Sequence, residues 1–200
     1  MRTRFRNGRG FTLLEVMVYA LLLGIMMTAL YMLLRTTLGF MRETNATASL
    51  QASAQKTAVK ITTELAQAHK GASNIIAGTS PNGVVFLSPR PGSGNTMYDS
   101  NGNQLWRQWV CYYYDDVNQC IMRGEINLTA PTATPPSCPY TVINFTGLPG
   151  NKTIADHVAG FSANLSGGAT VVTITASFSE SVNSSGDYSL QVNNEVLLRN

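Results

Sequence analysis

Charge is what this sequence most lacks. Asp, Glu, Lys and Arg make up only 12% of its 200 residues, against about a quarter in ordinary soluble domains. Part of the deficit is one uncharged stretch near the N-terminus, and the rest is a body rich in Ser, Thr, Asn and Gly. A lasting basic excess is missing too. The formal charge is +3, but Arg2, Arg4, Arg6 and Arg9 supply four of the fourteen basic residues. Residues 11–200 carry ten basic against eleven acidic groups, a net of −1. A protein that neutralises a run of phosphates needs the opposite balance, which argues against nucleic acid as a partner.

Catalytic and metal-binding patterns are also absent. Cys111, Cys120 and Cys138 show no C-x2-C spacing, and no histidine lies close to them. His69 and His157 are far apart in sequence. The Ser-rich tracts near Asp156 and His157 make no recognisable triad, and there is no G-x-S-x-G. Asp99-Ser100-Asn101-Gly102-Asn103 looks like the opening of a calcium loop. The places that need Gly and Glu hold Gln104 and Val110, so an Asn-Gly turn is expected instead. Asp115-Asp116 reads as a polar turn. The sequence therefore predicts no enzyme, no metal and no cofactor. Finally, no proline precedes Pro81, so nothing of that kind breaks a helix before it.

What is present begins at the start of the chain. MRTRFRNGRG is followed by FTLLEVMVYALLLGIMMTALYMLL, in which Val16 to Leu34 are nineteen uncharged residues. At about 1.5 Å per residue these make ~29 Å of helix, close to the ~30 Å hydrocarbon core of a bilayer. The arginines precede the run, so the positive-inside rule puts residues 1–10 in the cytoplasm and the body outside. A cleavable secretory signal would have a shorter core, and Arg35-Thr36-Thr37 is a poor small-residue cleavage site. A plain anchor leaves Glu15 unexplained, because a carboxylate deep in a membrane span costs ~2.5–3.5 kcal/mol, less near the interface.

Gly10-Phe11-Thr12-Leu13-Leu14-Glu15 resembles the type III signal of type IV prepilins and type II secretion pseudopilins. The elements of that signal are a basic leader ending in Gly, then Phe, Thr-Leu-Leu and Glu ahead of an apolar run. The resemblance implies cleavage between Gly10 and Phe11 by the prepilin peptidase and N-methylation of Phe11. It also implies an inner-membrane assembly platform and other pilins or pseudopilins as partners, met through stem helices. Glu15 becomes the fifth residue of the mature chain. Staggered stems would bring it to the Phe11 ammonium of a neighbour, making it a register device, since a shifted stacking leaves a charge unpaired in low dielectric. Many major pilins have a proline in the apolar run; here Met32 stands in that region, which favours a low-copy subunit over the bulk one.

Farther on, residues 43–70 contain no Pro or Gly. Leu50, Ala54, Ala58, Ile61, Leu65 and Ala68 recur every three or four residues, as one stripe of an amphipathic helix does. One helix from about Phe11 to Lys70 is predicted, stopped by Gly71, with a protonated His69 suiting its C-terminal dipole. The organisation is a leader (1–10), a transmembrane or filament-core helix (11–42), an amphipathic helix half (43–71) and an exported β-rich head (72–200).

In the head, strands are predicted at Gly83–Ser88, Gln104–Tyr114, Gln119–Leu128, Thr141–Phe145, Val158–Leu165, Ala169–Ser179 and Tyr188–Leu198, with Pro/Thr-rich loop at 129–139. The fold class is α+β, an antiparallel sheet packed on the helix. The aromatic cluster Trp106, Trp109 and Tyr112–Tyr114 is read as packing. Trp109-Val110-Cys111-Tyr112-Tyr113-Tyr114-Asp115, followed by Ile121-Met122-Arg123, resembles a hairpin of W-type minor pilins and J-type pseudopilins. In an exported head, three cysteines give one disulfide and one free thiol. Three pairings are open. Cys120–Cys138, which would staple the Pro-rich loop, is preferred over Cys111–Cys120, which would bridge the hairpin.

Overall fold

The computed structural model describes residues 12–69, 75–79, 81–90, 96–166, 171–182 and 186–198. Among the described residues one long helix, α1 (Leu13–Leu65), precedes eight strands. The chain divides into two compact units, Met1–Asn45 and Ala46–Asn200.

In the first unit, α1 runs through Gly24 and Met32 without a break. Leu, Ile, Val, Met and Tyr side chains are exposed all around it. A helix apolar on every side suits lipid or a bundle of like helices rather than water. Its threonines do not disturb that character. Thr28, Thr36 and Thr37 each donate their hydroxyl to the carbonyl four residues back, at 2.8–2.9 Å.

In the second unit the amphipathic stripe is real. Ala46, Leu50, Ala54, Ile61, Leu65 and Ala68 are buried. Thr57 takes the buried place expected of Ala58, which is only half-buried. The exchange is affordable because the Thr57 hydroxyl bonds the Ser53 carbonyl at 2.7 Å. The helix stops at Leu65, earlier than the sequence suggested. Beyond it Gln67 and Ala68 donate to carbonyls three residues back rather than four, the tightening common in a last turn. Lys70 and Gly71 lie outside the described residues.

Two antiparallel sheets follow, where one was expected. The first has the order β1 (Ile75–Thr79), β2 (Asn82–Ser88), β3 (Trp106–Asp115), β4 (Cys120–Thr132), β5 (Lys152–Ala155). The second is β6 (Val158–Leu165), β7 (Val171–Val182), β8 (Gly186–Leu197). The helix stripe shares one core with the inner face of β2–β4 (Val84, Phe86, Val110, Tyr112, Ile121) and with Phe161, Ile174 and Phe178 of the second sheet. On β7, Val172, Ile174, Ala176 and Phe178 are buried, while the residues between them are half-exposed, so the alternation places the sheet's two faces.

The first sheet is buried on its outer face as well. Val85, Leu87, Trp109, Cys111 and Tyr113 pack there against Val142 and Phe145. That is why Val84 to Leu87 is a continuous apolar run with every residue fully buried. Val142–Phe145 is a 3₁₀ turn, not the strand expected from its β-branched residues. The Asn144 carboxamide accepts hydrogen bonds from the Thr141 amide (2.7 Å) and hydroxyl (3.0 Å), which coils the segment. A three-residue repeat then puts Val142 and Phe145 on one side, facing the sheet. Two glycines let the turn approach closely. A Cβ at Gly83 would lie 2.8 Å from Val142, and one at Gly124 would lie 3.3 Å from Phe145.

Candidate functional site

The start of α1 carries a local hydrogen-bond set of its own. Thr12 is the residue before the helix and Glu15 the third within it. The Glu15 carboxylate accepts from the Thr12 amide (3.0 Å) and hydroxyl (3.2 Å), and the Glu15 amide donates to Thr12 Oγ1 at 3.3 Å. This is a reciprocal capping box. It satisfies amides that a helix start leaves without partners and sets a negative charge at the positive end of the helix dipole. Glu15 is therefore not a bare carboxylate in apolar surroundings. Its own helix supplies partners, each at most a modest contribution, and leaves acceptor capacity for a cation. The signal was available in Thr12-x-x-Glu15 ahead of an apolar run. Gly10 and Phe11 lie outside the described residues.

In the head, the hairpin read from the aromatic motif forms as β3 and β4, with Trp109 opposite Ile126 and Tyr112 opposite Arg123. Trp106, Trp109, Tyr112 and Tyr113 are each at most 5% exposed, so they are packing rather than a stacking platform. β4 continues to Thr132 after a bulge between Trp106 and Gln108, taking up the start of the expected loop. Arg123 is buried. Its Nε lies 3.1 Å from Glu64 of α1, and a terminal guanidinium nitrogen lies 2.7 Å from Glu125. Burial works against the Arg123 charge, but the Glu125 hydrogen bond and the Glu64 carboxylate override it and raise the pKa. Tyr112 lies beside this group, its pKa pushed up first by burial and then by Glu64. These residues join the end of α1 to the hairpin.

The remaining candidates resolve into turns and core. The Asp99 carboxylate accepts from the amides of Asn101 and Asn103 (both 2.8 Å) and from the Asn103 side chain (3.0 Å). Those bonds, the side-chain one foremost, lower its pKa. Asp115 does the same with Asn118 and Val117. Among the described residues no group of three or more His, Cys, Asp or Glu is placed to hold a metal ion. His69 lies beyond the helix end, edge-on to Trp106 at 5.3 Å. Burial lowers its pKa, so the folded protein disfavours the protonated form expected there.

All three cysteines are free. Cys111 stands opposite Gly124, four positions along β4 from Cys120. At about 3.4 Å per residue the two are too far apart to bridge, although they share a sheet face. Cys138 packs against the cluster that contains Cys111. Burial, and then the charges of Asp115 and Asp156, push the Cys120 thiol up.

An apolar N-terminal helix that fits a membrane anchor, followed by antiparallel sheets, is a pilin-like α+β architecture. Residues 5–31 match the family model for the prokaryotic N-terminal methylation motif. The chain thus carries a type IV prepilin-like signal, which marks a type IV pilin-like or pseudopilin precursor. No curated protein and no solved structure matches it.

Proposed function

We propose that the protein is a minor type IV pilin, a structural and non-enzymatic subunit that helps initiate or cap pilus assembly. The observation that carries this reading is the order Gly10-Phe11-Thr12-Leu13-Leu14-Glu15 at the head of a membrane-length apolar helix. Prepilin peptidase cuts between Gly10 and Phe11, and Phe11 is N-methylated. The leader must go, because its arginines cannot enter an apolar filament core. Before assembly the helix sits in the inner membrane, with the N-terminus cytoplasmic and the head periplasmic.

Glu15 then sets the stacking register. Its capping box holds the carboxylate at the helix start, and the Phe11 ammonium of a neighbouring stem adds a charged partner in low dielectric. A stem shifted along the stack keeps the cap and loses the ammonium. The unkinked apolar run through Met32 supports low-copy use.

The β3–β4 hairpin with Trp109, Tyr112 and Arg123 supports a second reading equally, the J-type minor pseudopilin of a type II secretion system. Deleting the gene separates the two. Loss of surface pili with normal secretion supports the pilin, whereas loss of secretion with normal pili supports the pseudopilin. A pilus-tip adhesin or DNA-uptake module is the third reading. It predicts intact filaments and a loss of adhesion or DNA binding.

A further inference from the structure

The second sheet ends in β8, and among the described residues β8 pairs only with β7. The backbone bonds of β7 fix which groups of β8 are left over. Val171 and Ser179 of β7 both bond toward the β6 side. The Ser166 amide donates to the Val171 carbonyl, and the Ser179 amide donates to the His157 carbonyl, both at 2.9 Å. In an antiparallel strand the N–H and C=O of one residue point to the same side, and successive residues alternate. Val172, Ile174, Ala176 and Phe178 therefore bond β8, through Val196, Asn194, Val192 and Leu190. Asp187, Ser189, Gln191, Asn193, Glu195 and Leu197 are left with backbone groups aimed away from β7, at an open edge, and their side chains are exposed.

Sheet edges are ordinarily blunted by shortness, proline, lysine, a bulge or an inward charge. β5, at an end of the first sheet, is four residues long, starts with Lys152 and pairs across a register shift. β8 has none of these devices. It runs twelve residues, its register with β7 is unbroken, and its inward side chains Tyr188, Leu190, Val192, Asn194 and Val196 are uncharged. Room for a further strand lies beside it. Thr62 and Ala66 of α1 line one recess with Glu195, Val196 and Leu197, and Ala58 and Thr62 line another with Val192 and Asn194. Ala58, Thr62 and Ala66 are only half-buried.

We propose that β8 takes up an antiparallel extended strand from a neighbouring subunit, which extends the three-stranded second sheet. In such an addition the main chain gives affinity and alternate side chains give selectivity. Residues of the incoming strand that bond the edge lie opposite Ser189, Gln191, Asn193 and Glu195 and share their outer face. The outer face of β8 carries Asp187 and Glu195 and no base, so Lys or Arg is favoured there. The residues between them face α1, where Ala58, Thr62 and Ala66 leave space for apolar side chains. A second copy of this chain does not fit the place. β8 pairs antiparallel with itself only about a two-fold axis normal to the sheet, which reverses the 46–65 part of α1 in one of the copies. Stems anchored in one membrane run the same way. The neighbouring subunit as occupant rests on the filament role of the proposed function, and the open edge does not.

The test uses the full chain in detergent and a dye-labelled peptide, Lys-Val-Lys-Val-Lys-Val-Lys, read by fluorescence polarisation. Two further peptides carry backbone N-methyl groups, one on its lysines and one on its valines. Only the lysine amides face β8 in the proposed pairing. Expected is saturable binding of the plain and valine-methylated peptides, and binding weaker by about tenfold or more for the lysine-methylated one and for an Asn193→Pro chain. Asn193→Pro removes an outward N–H and keeps the β7 ladder, so its urea midpoint should stay near that of the native chain. Asn194→Pro loses the bond to Ile174, and its midpoint should fall. No binding, equal binding of the lysine-methylated peptide, or an equal fall of both midpoints overturns the proposal. In cells, a photoreactive benzoylphenylalanine in place of Gln191 should cross-link to a strand of another subunit that carries a prepilin signal, and Asn193→Pro should abolish that product. Peptide binding without the product overturns the neighbour as occupant where the leader has been cleaved. An uncleaved leader in the same cells assigns that failure to the proposed function instead.

Discussion

Truncating Arg123 should cost the head a large part of its stability. The guanidinium is 6% exposed and holds Glu64 at 3.1 Å and Glu125 at 2.7 Å. Removing one partner of a fully buried ion pair costs about 3–5 kcal/mol, because the charge left behind is unpaired. Here the carboxylates keep contact with water, at 26% and 35% exposure. That relief, set against the lost packing of the arginine stem, brings Arg123→Ala to about 2–3 kcal/mol. Arg123→Lys keeps the charge but cannot reach both carboxylates as a fork, and should lose about 1–2 kcal/mol. Glu64→Ala leaves Arg123 with Glu125 and should cost less than Arg123→Ala. Trp106 and Trp109, the only tryptophans, are buried in the head, so urea titration of the full chain in detergent by fluorescence reports head unfolding. An Arg123→Ala loss below about 0.5 kcal/mol, the size of an exposed pair, would refute the reasoning.

Other outcomes follow from the same geometry. Thr12→Ala removes one side of the capping box and should weaken the first turn of α1 by about 1 kcal/mol, seen as faster amide exchange at residues 13–16 with the head unchanged. Gly83→Ala should destabilise the head by about 1–3 kcal/mol, since its Cβ would meet the Tyr112 carbonyl at 2.6 Å and Val142 at 2.8 Å. Gly24→Ala, with nothing within 4 Å, should leave the head's urea midpoint unmoved. The folded pKa of His69 is lowered below its ordinary 6.5, so the unfolded chain binds more protons as pH falls through that range. Head stability should therefore rise with pH across it, and His69→Gln should flatten the dependence.

Periodic stretches of the sequence yielded their structure most directly. Leu50, Ala54, Ile61 and Leu65 announced a helix face, and Val172 to Phe178 announced a one-sided strand, because each pattern reflects burial against one core. Where side chains bond their own backbone, periodicity misled. Thr141 and Asn144 curl a β-branched segment into a 3₁₀ turn. The short strands β1 and β5 escaped notice because four or five residues carry little pattern, and the division into two sheets depends on long-range pairing. Cysteine partners could not be read from spacing either. The β3–β4 register separates Cys111 from Cys120, and residues 138–145 pack Cys138 against the cluster that holds Cys111. At the candidate site, Glu15 stood out as an acid in an apolar run. Its capping partner is legible three residues earlier, as Thr12 in Thr12-x-x-Glu15.

The proposed function requires the chain to lose its basic leader and expose a new amine near Glu15. Mass spectrometry of the protein recovered from cells with and without prepilin peptidase measures this directly. An N-methylated Phe11 terminus is expected when the peptidase is present, and an intact leader when it is absent. Filament-incorporated protein that still carries residues 1–10 would contradict it.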